Sequence, residues 1–177
     1  VWAHRYADLF RHDLQNLDDG QLESILLGLS SDENTPQGFA SYLGVVRNER
    51  PEIDADKTDF DIWAANVLKT HGKFQLLCAL RNGPFGVSGM NQRIEALLNK
   101  QQLIQPTGTW YEGRPVLVTR NDYRLGLMNG DMGIALSYPV RNKDSGKLEW
   151  SIRVAFPKGD GTAGIHWVLP SRLVSTE

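Results

Sequence analysis

The first part of this 177-residue chain carries apolar side chains at the spacing of amphipathic helices. One apolar stripe lies within residues 6–17 and a second lies within residues 22–29. A third stripe begins after Thr35, a residue type that caps helices well, and a fourth runs through residues 60–68. This pattern predicts a cluster of helices over residues 1–72.

The pattern changes at Lys73, where a short continuous apolar run begins. Residues 74–80 are apolar apart from one glutamine, which predicts a strand buried on both faces. A loop rich in glycine follows at residues 81–89, and helical spacing then continues to about Leu103. Strand, loop and helix make one half of a βαβ unit, so residues 73–109 are predicted to form a partial α/β domain.

Short alternating segments follow Trp110 and predict β-strands separated by tight turns. The predicted strands lie within residues 114–120, 131–138, 147–156 and 163–169. This number of short strands in so few residues predicts a small closed β-barrel of SH3-like size over residues 110–174. The whole chain is therefore predicted to be of the α+β class.

Three positions in the barrel carry specific expectations. Asn129-Gly130 is the strongest short hairpin signal, because both residue types tolerate the positive φ of a type I′ turn. Trp150 lies on the apolar side of an alternating strand and is expected in the core. Tyr123 lies in a polar loop and is expected to be exposed.

The sequence contains no recognisable catalytic centre or metal site. It has no phosphate-binding loop of the Gly-x-x-x-x-Gly-Lys-Ser/Thr type. The acidic residues at 54–61 lack the glycine and glutamate that a calcium-binding EF-hand loop requires. The four histidines do not have the spacing of metal ligands. We therefore predict no catalytic residue and no metal ligand in this chain.

The loop and helix start at residues 81–93 form one candidate DNA-binding site. Arg81, Asn82 and Gly83 follow the predicted strand, at the end of a sheet where ligands of open α/β folds bind. Asn91 and Arg93 lie in the first turns of the next helix, whose N-terminus is expected to attract phosphate. An equally good interpretation is that the glycines only shape the loop.

The predicted barrel offers a second candidate site, at Arg120, Asn121 and Tyr123. Basic and aromatic side chains together are typical of single-strand binding by charge and stacking. The overall charge of −2 divides unevenly, because residues 1–70 carry 6 basic and 13 acidic residues and residues 71–177 carry 13 basic and 8 acidic ones. A polyanion is therefore expected to bind residues 71–177 in preference to residues 1–70.

Composition predicts a cytoplasmic protein. No run of eighteen apolar residues is present, so no membrane association is expected. A single cysteine, Cys78, excludes an internal disulfide and suits a reducing compartment. Its apolar surroundings predict an inert thiol rather than a reactive one.

Three stretches of the sequence resemble one helicase family. They are FQLLCALRNGPFGVSGMNQRIEALL, WYEGRPVLVTRNDYRLGLMNGDMGIAL and LPSRL, and they lie between Phe74 and Leu173. The chain resembles the RecD helicases, the alpha subunits of exodeoxyribonuclease V (RecBCD), in superfamily 1. The resemblance is weak over the first 70 residues.

The resemblance implies a fold and a function. Residues 74–104 would open the second RecA-like motor domain, and residues 110–173 would be the SH3-like insert of that domain. The whole protein would be an ATP-dependent 5′-to-3′ DNA helicase subunit that uses ATP and Mg²⁺. It would act in double-strand-break repair with RecB-type and RecC-type subunits.

The chain itself would be an excised piece that lacks the ATP-hydrolysis motifs. It would be inactive alone and bind no cofactor, but it would contact single-stranded DNA. The alternative is an SH3-like module that docks partner subunits.

Overall fold

A computed structural model describes residues 19–29, 37–158 and 164–177. The helix predicted within residues 6–17 and the helix start at Thr35 lie outside these described residues. Four helices and four strands lie within them, so the α+β prediction is confirmed. None of the helices in the described ranges is long and apolar enough to cross a membrane.

The helices follow the predicted apolar stripes. They are α1 (Asp19–Leu27), α2 (Gly38–Asn48), α3 (Lys57–His71) and α4 (Val87–Lys100). In α3 the residues Phe60, Trp63, Ala64 and Val67 are all buried, which confirms the predicted inner face. Contacts divide the chain into two compact units. The first unit takes in the described part of residues 1–41 together with residues 71–103, and the second comprises residues 42–70 and 104–177.

The first unit has a small core of helix and loop residues. Leu22 and Leu26 of α1 pack with Phe74 and with Met90 of α4. The ring of Phe39 meets Phe74 edge-on, with 4.8 Å between ring centroids. A hydrogen bond also joins the C-terminal end of α4 to the middle of α1, from Gln101 Nε2 to Glu23 Oε1 at 2.7 Å.

The segment after Phe74 corrects the predicted strand. Residues 74–80 form neither a strand nor a helix, and no backbone hydrogen bond within the described chain reaches residues 75–79. Phe74, Leu76 and Cys78 contribute to the core, whereas Leu77 and Leu80 are 75% and 64% exposed. The prediction of a paired strand buried on both faces is therefore wrong for this structure, because a strand requires a neighbour and none of the described residues provides one.

The second unit contains an antiparallel sheet with the order β1-β2-β3-β4. Its strands are β1 (Pro115–Leu117), β2 (Met132–Arg141), β3 (Leu148–Pro157) and β4 (Ile165–Val168), followed by a 3₁₀-helix at Pro170–Arg172. The short strands confirm the prediction, but the closed barrel is wrong. No described strand joins β4 to the opposite edge of the sheet, so the sheet stays open.

The final residues extend the sheet on the other side of β1. Leu117 and Glu177 exchange two backbone hydrogen bonds of 3.0 Å each, and Thr119 N–H donates to the Ser175 carbonyl at 2.9 Å. An antiparallel bridge joins Val118 and Thr176 between them. Residues 175–177 therefore lie alongside β1 as a short additional antiparallel segment.

Each face of the sheet has its own apolar layer. One face is buried by a cluster of seven residues: Val116, Val118, Leu127, Ala135, Val154, Phe156 and Val168. Helix α3 covers the other face, where the Phe60 ring lies 5.4 Å from Tyr138. The Trp167 indole N–H also donates to Asp61 Oδ1 at 2.7 Å. The helical segment 42–70 is therefore part of the fold of the second unit.

Burial along β3 does not follow the predicted alternation, because residues 151–153 are all half-buried and Ala155 is buried like its two neighbours. Val154 and Phe156 are fully buried, as predicted. Trp150 is 42% exposed, so the expectation that it lies in the core is wrong. Its ring lies 6.1 Å from Phe60 on one side, and the Arg50 guanidinium lies 5.1 Å from its centroid. A cation and a ring edge from the helical segment thus cover Trp150 partially.

Candidate nucleic-acid interface

The glycine-rich loop of the first unit folds back on its own helix. Val87 N–H donates to the Leu80 carbonyl at 2.9 Å, and Ser88 N–H donates to the Arg81 carbonyl at 3.1 Å. The Ser88 hydroxyl reaches the same Arg81 carbonyl at 3.0 Å. Two of the first N–H groups of α4 are therefore already bonded to carbonyl groups of the preceding loop. Fewer N–H groups at this helix N-terminus are left to bind an anion.

Two glycines in this loop allow close backbone packing. A Cβ atom at Gly86 would lie 2.4 Å from the Asn82 carbonyl oxygen, and one at Gly89 would lie 2.3 Å from the Gly83 carbonyl oxygen. Neither distance leaves room for a side chain. This geometry favours the interpretation that these glycines shape the loop.

The candidate residues of this loop fall into two groups. Arg81, Asn82 and Gly83 lie together on one exposed turn. Asn91 and Arg93 lie two positions apart on α4, so they point to different sides of the helix. Asn91 is exposed, whereas Arg93 is half-buried. The structure thus brings the first three residues together and separates the last two, and their binding role stays a prediction.

The loop at residues 119–131, which joins β1 to β2, is held by its own side chains. Asp122 and Leu127 exchange backbone hydrogen bonds of 2.7 and 3.0 Å, which closes a small hairpin within the loop. The Asp122 carboxylate accepts the N–H groups of Arg124 and Leu125 at 3.0 and 3.1 Å. Asp122 therefore fixes the turn that carries Tyr123 and Arg124.

The turn at Asn129-Gly130 differs from the expected type. Asp131 N–H donates to the Met128 carbonyl at 3.0 Å, and the Asp131 carboxylate accepts Met128 N–H at 2.8 Å. Gly130 has φ +96°, but Asn129 does not have a positive φ. The predicted turn is therefore present, but a type I′ turn needs positive φ at both central residues, whereas a single glycine at the third position suits a type II turn.

The outer side of this loop is exposed and carries Tyr123 and two arginines. Tyr123 is 78% exposed, which confirms the expectation for this ring, and its hydroxyl lies 3.1 Å from the Asn121 amide nitrogen. Asn121 Oδ1 also accepts Asn129 N–H at 2.7 Å and so ties the two parts of the loop together. The Arg120 and Arg124 guanidinium groups have no ion-pair partner among the described residues.

The structure adds Met128 to the candidate residues, and it places Arg124, one of the basic residues of the predicted barrel, beside Tyr123. Arg124 follows Tyr123 directly and is exposed, and Met128 is half exposed at the next turn. The signal for Arg124 was its place beside an exposed aromatic residue. Nothing in the residue pattern marked Met128, because its exposure depends on the turn that Asp131 closes.

Burial shifts the pKa of three groups that lie outside the 119–131 loop. Burial lowers the pKa of His71, at the end of α3, to about 4. Burial also raises the pKa of Tyr42, whose hydroxyl donates to the Gly113 carbonyl at 2.9 Å, and that of the Cys78 thiol. Within the described parts of the chain, no group of three His, Cys, Asp or Glu side chains is placed to hold a metal ion.

Comparison with known proteins relates this chain to one kind of subunit. No family model matches the chain. It is 47% identical over 74 residues to "RecBCD enzyme subunit RecD" of Mycobacterium tuberculosis (strain ATCC 25618 / H37Rv), which covers 42% of this chain and 13% of that relative. Part of this chain is therefore similar to a RecD subunit.

Two further RecD relatives extend the match. The RecD subunit of Haemophilus influenzae is 30% identical over 101 residues, or 56% of this chain and 16% of the relative. The RecD subunit of Buchnera aphidicola subsp. Schizaphis graminum is 28% identical over 130 residues, or 60% of this chain and 22% of the relative. The chain thus spans about 13–22% of the length of these RecD relatives.

Proposed function

We propose that this chain is part of a RecD-type subunit of a RecBCD enzyme, a cytoplasmic DNA helicase that acts in double-strand-break repair. The observation that carries the proposal is the 47% identity over 74 residues to a RecD subunit. ATP and Mg²⁺ would bind the complete subunit, which would translocate 5′ to 3′ on DNA. RecB-type and RecC-type subunits would be its partners, and the chain alone would lack helicase activity.

Residues 74–80 would be a strand of the RecA-like motor sheet in the complete subunit. Two observations support this assignment. Burial alternates from Phe74 to Cys78, as it does in a strand with one side facing a helix layer. The backbone of residues 75–79 also has no hydrogen bond within the described chain, so both of its edges can accept neighbouring strands.

The second unit would be the SH3-like insert and would form part of the single-strand channel. The order of its antiparallel segments supports this assignment. Residues 175–177 lie on one side of β1, and β2, β3 and β4 follow in that order on the other side. A 3₁₀-helix separates β4 from that last segment, at Pro170–Arg172.

DNA contact would come from the outer side of the 119–131 loop. Arg120 and Arg124 form no ion pair in the described chain, and Tyr123 provides an exposed ring on which a base can stack. Asn121 would keep the ring in place through its contact with the Tyr123 hydroxyl. The turn at Arg81, Asn82 and Gly83, with Asn91 and Arg93, would contribute phosphate contacts in the complete subunit.

Fluorescence anisotropy with a labelled single-stranded oligonucleotide tests this assignment on the 177-residue chain. Tyr123→Ala is expected to weaken binding about tenfold, the effect of one lost stacking contact. Arg120→Ala is expected to reduce the slope of log affinity against log salt by about 0.7, since one phosphate contact is lost. Lys147→Ala, which removes an exposed charge from the β2–β3 turn, is the matched control and should change neither value.

Two results would contradict the proposal. The chain would be a scaffold without DNA contacts if it bound no single strand even at low salt. The loop at residues 81–93 would have no role if Arg81→Ala with Arg93→Ala in the complete subunit left unwinding unchanged.

The alternative, an SH3-like module that docks partner subunits, has less support. The aromatic side chains Tyr138, Trp150 and Trp167 of the sheet lie against Phe60 or against each other, so the chain's own helix α3 already covers part of this aromatic surface. A pull-down with the RecB-type and RecC-type subunits, repeated with Ile62→Asp on the exposed side of α3, would test docking separately from DNA binding.

A further inference from the structure

Two Asn-Gly pairs occur in the sequence, and both are exposed in the structure. They are Asn82-Gly83, on the glycine-rich loop of the first unit, and Asn129-Gly130, on the 119–131 loop of the second unit. Asparagine followed by glycine is the pair most prone to spontaneous deamidation, because the following nitrogen attacks the side-chain amide and glycine has no Cβ atom in the way. The local sequence therefore gives both pairs the same tendency to react.

The reaction depends on the state of the glycine nitrogen. This nitrogen gives its proton to solvent and forms a bond to the side-chain carbonyl carbon of the asparagine. The bond from that carbon to the side-chain nitrogen breaks, and the nitrogen leaves as ammonia after it takes a proton from water. Water then opens the resulting succinimide ring to aspartate or isoaspartate. A glycine N–H that is bonded to a carbonyl must break this hydrogen bond before its nitrogen can attack.

The Gly130 nitrogen is held in such a hydrogen bond. Its N–H donates to the Val118 carbonyl at 2.8 Å, and Val118 is only 2% exposed. Asn129 N–H is bonded as well, to Asn121 Oδ1 at 2.7 Å. Attack on the Asn129 side chain therefore requires this turn to open first.

The Gly83 nitrogen has no such hydrogen bond. Within the described chain its N–H donates to no acceptor. Gly83 has φ +90°, and a Cβ atom placed on it would meet nothing within 4 Å, so the space beside its backbone is open. The Asn82 side-chain amide also forms no hydrogen bond within the described residues. Neither reacting group is therefore held away from the other.

We propose that Asn82 is a site of spontaneous deamidation and that the fold protects Asn129 from the same reaction. Deamidation places a carboxylate directly after Arg81 in the chain. Isoaspartate also adds a methylene to the main chain at a point where a Cβ atom on Gly86 would lie 2.4 Å from the Asn82 carbonyl oxygen. The new negative charge would weaken the attraction of this turn for phosphate, a consequence that rests on the proposed function of the turn.

Peptide mapping by mass spectrometry tests the proposal on the unsubstituted 177-residue chain. The folded chain would be incubated at mildly alkaline pH, and conversion of amide to acid would be followed separately in the peptides that contain Asn82 and Asn129. We expect Asn82 to deamidate about tenfold faster, the factor that corresponds to one hydrogen bond broken before attack. The same incubation in guanidinium chloride removes the structure and should make the two rates about equal.

Three results would overturn the proposal. Equal rates in the folded chain would show that the hydrogen bond of Gly130 gives no protection. A difference that persisted in guanidinium chloride would assign the preference to the neighbouring residues in the sequence rather than to the fold. In the variant Asn82→Gln the longer side chain disfavours ring closure, so a mass change that remained in this peptide would assign the reaction to another residue.

A separate experiment tests the consequence for DNA. The affinity of the complete subunit for a single strand would be measured over a range of salt concentrations with Asn82→Asp and with Asn82→Gln, which differ in charge. We expect the slope of log affinity against log salt to be smaller by about 0.7 in the aspartate variant, as though one phosphate contact were lost. Equal slopes would contradict the phosphate contacts proposed for this turn and leave the deamidation of Asn82 standing.

Discussion

At the scale of single residues, the conformation of the 119–131 loop depends on two carboxylates and one amide. Asp122 and Asp131 each accept backbone N–H groups within the loop, and Asn121 joins its two halves. These side chains hold the turn that carries the exposed Tyr123. Aspartate and asparagine suit such positions because their short side chains reach the backbone a few residues away.

Asp131→Ala is expected to lower the free energy of unfolding by about 1–2 kcal/mol, because Met128 N–H loses a charged acceptor. Chemical denaturation would measure the change. Asn129→Ala at the neighbouring exposed position is the matched control, and its effect should stay within about 0.5 kcal/mol. Equal losses in both variants would show that the turn does not depend on the Asp131 carboxylate.

His71 gives the chain a specific dependence on pH. Its folded-state pKa of about 4 lies below the ordinary value of 6.5, so the unfolded chain takes up a proton that the folded chain does not. Stability is therefore unaffected above about pH 6.5 and is expected to fall as the pH drops from 6.5 towards 4. Urea unfolding at several pH values would measure this loss, and His71→Gln should reduce the slope between pH 6.5 and 5. An unchanged slope would assign the acid sensitivity to other groups.

At the scale of elements, helix α3 packs on one face of the sheet and helps to form its core. Phe60 is fully buried and contacts aromatic side chains on two strands, and the Trp63 indole N–H donates to the Val45 carbonyl at 3.2 Å. The apolar spacing predicted that these residues share a face. It did not predict that the face would cover a sheet that begins more than forty residues later.

Phe60→Ala is expected to cost about 3–5 kcal/mol of unfolding free energy, since it leaves a cavity under the sheet. Ile62→Ala on the same helix removes a side chain that is 64% exposed and should change stability by less than about 0.5 kcal/mol. Thermal or chemical denaturation that followed the tryptophan fluorescence would compare the two variants. A small effect of Phe60→Ala would mean that the sheet of the second unit is stable without α3.

At the scale of the whole molecule, residues 75–79 form no backbone hydrogen bond within the described residues. The side chains of Leu77 and Leu80 in and beside this segment are exposed. Unpaired segments of this kind associate readily with other strands. In the proposed complete subunit they would be covered by the rest of the motor sheet.

The 177-residue chain is therefore expected to self-associate as its concentration rises. Leu77→Lys with Leu80→Lys should shift sedimentation velocity towards the monomer, because charge on an edge opposes strand pairing. Ile62→Lys, which changes another exposed apolar residue on a helix, should leave the association unchanged. A chain that stayed monomeric at all concentrations would show that this segment is protected in some other way.

Local pattern determined much of this protein without any structure. Apolar spacing predicted α3, alternation predicted the strands, and the polar neighbours of Tyr123 predicted its exposure. These features depend on residues close in sequence, so periodicity and turn chemistry are enough to find them. The motifs between Phe74 and Leu173 also indicated the RecD relationship that the comparisons support.

Tertiary structure alone decided which of those elements meet. The partial exposure of Trp150 depends on Arg50 and Phe60, which lie far away along the chain. The unpaired state of residues 75–79 depends on the lack of a neighbouring strand among the described residues, and the place of residues 175–177 beside β1 depends on a bridge between Thr176 and Val118. Sequence periodicity fixes which side of an element is apolar, but the partner of that side is chosen by long-range packing, which no local pattern encodes.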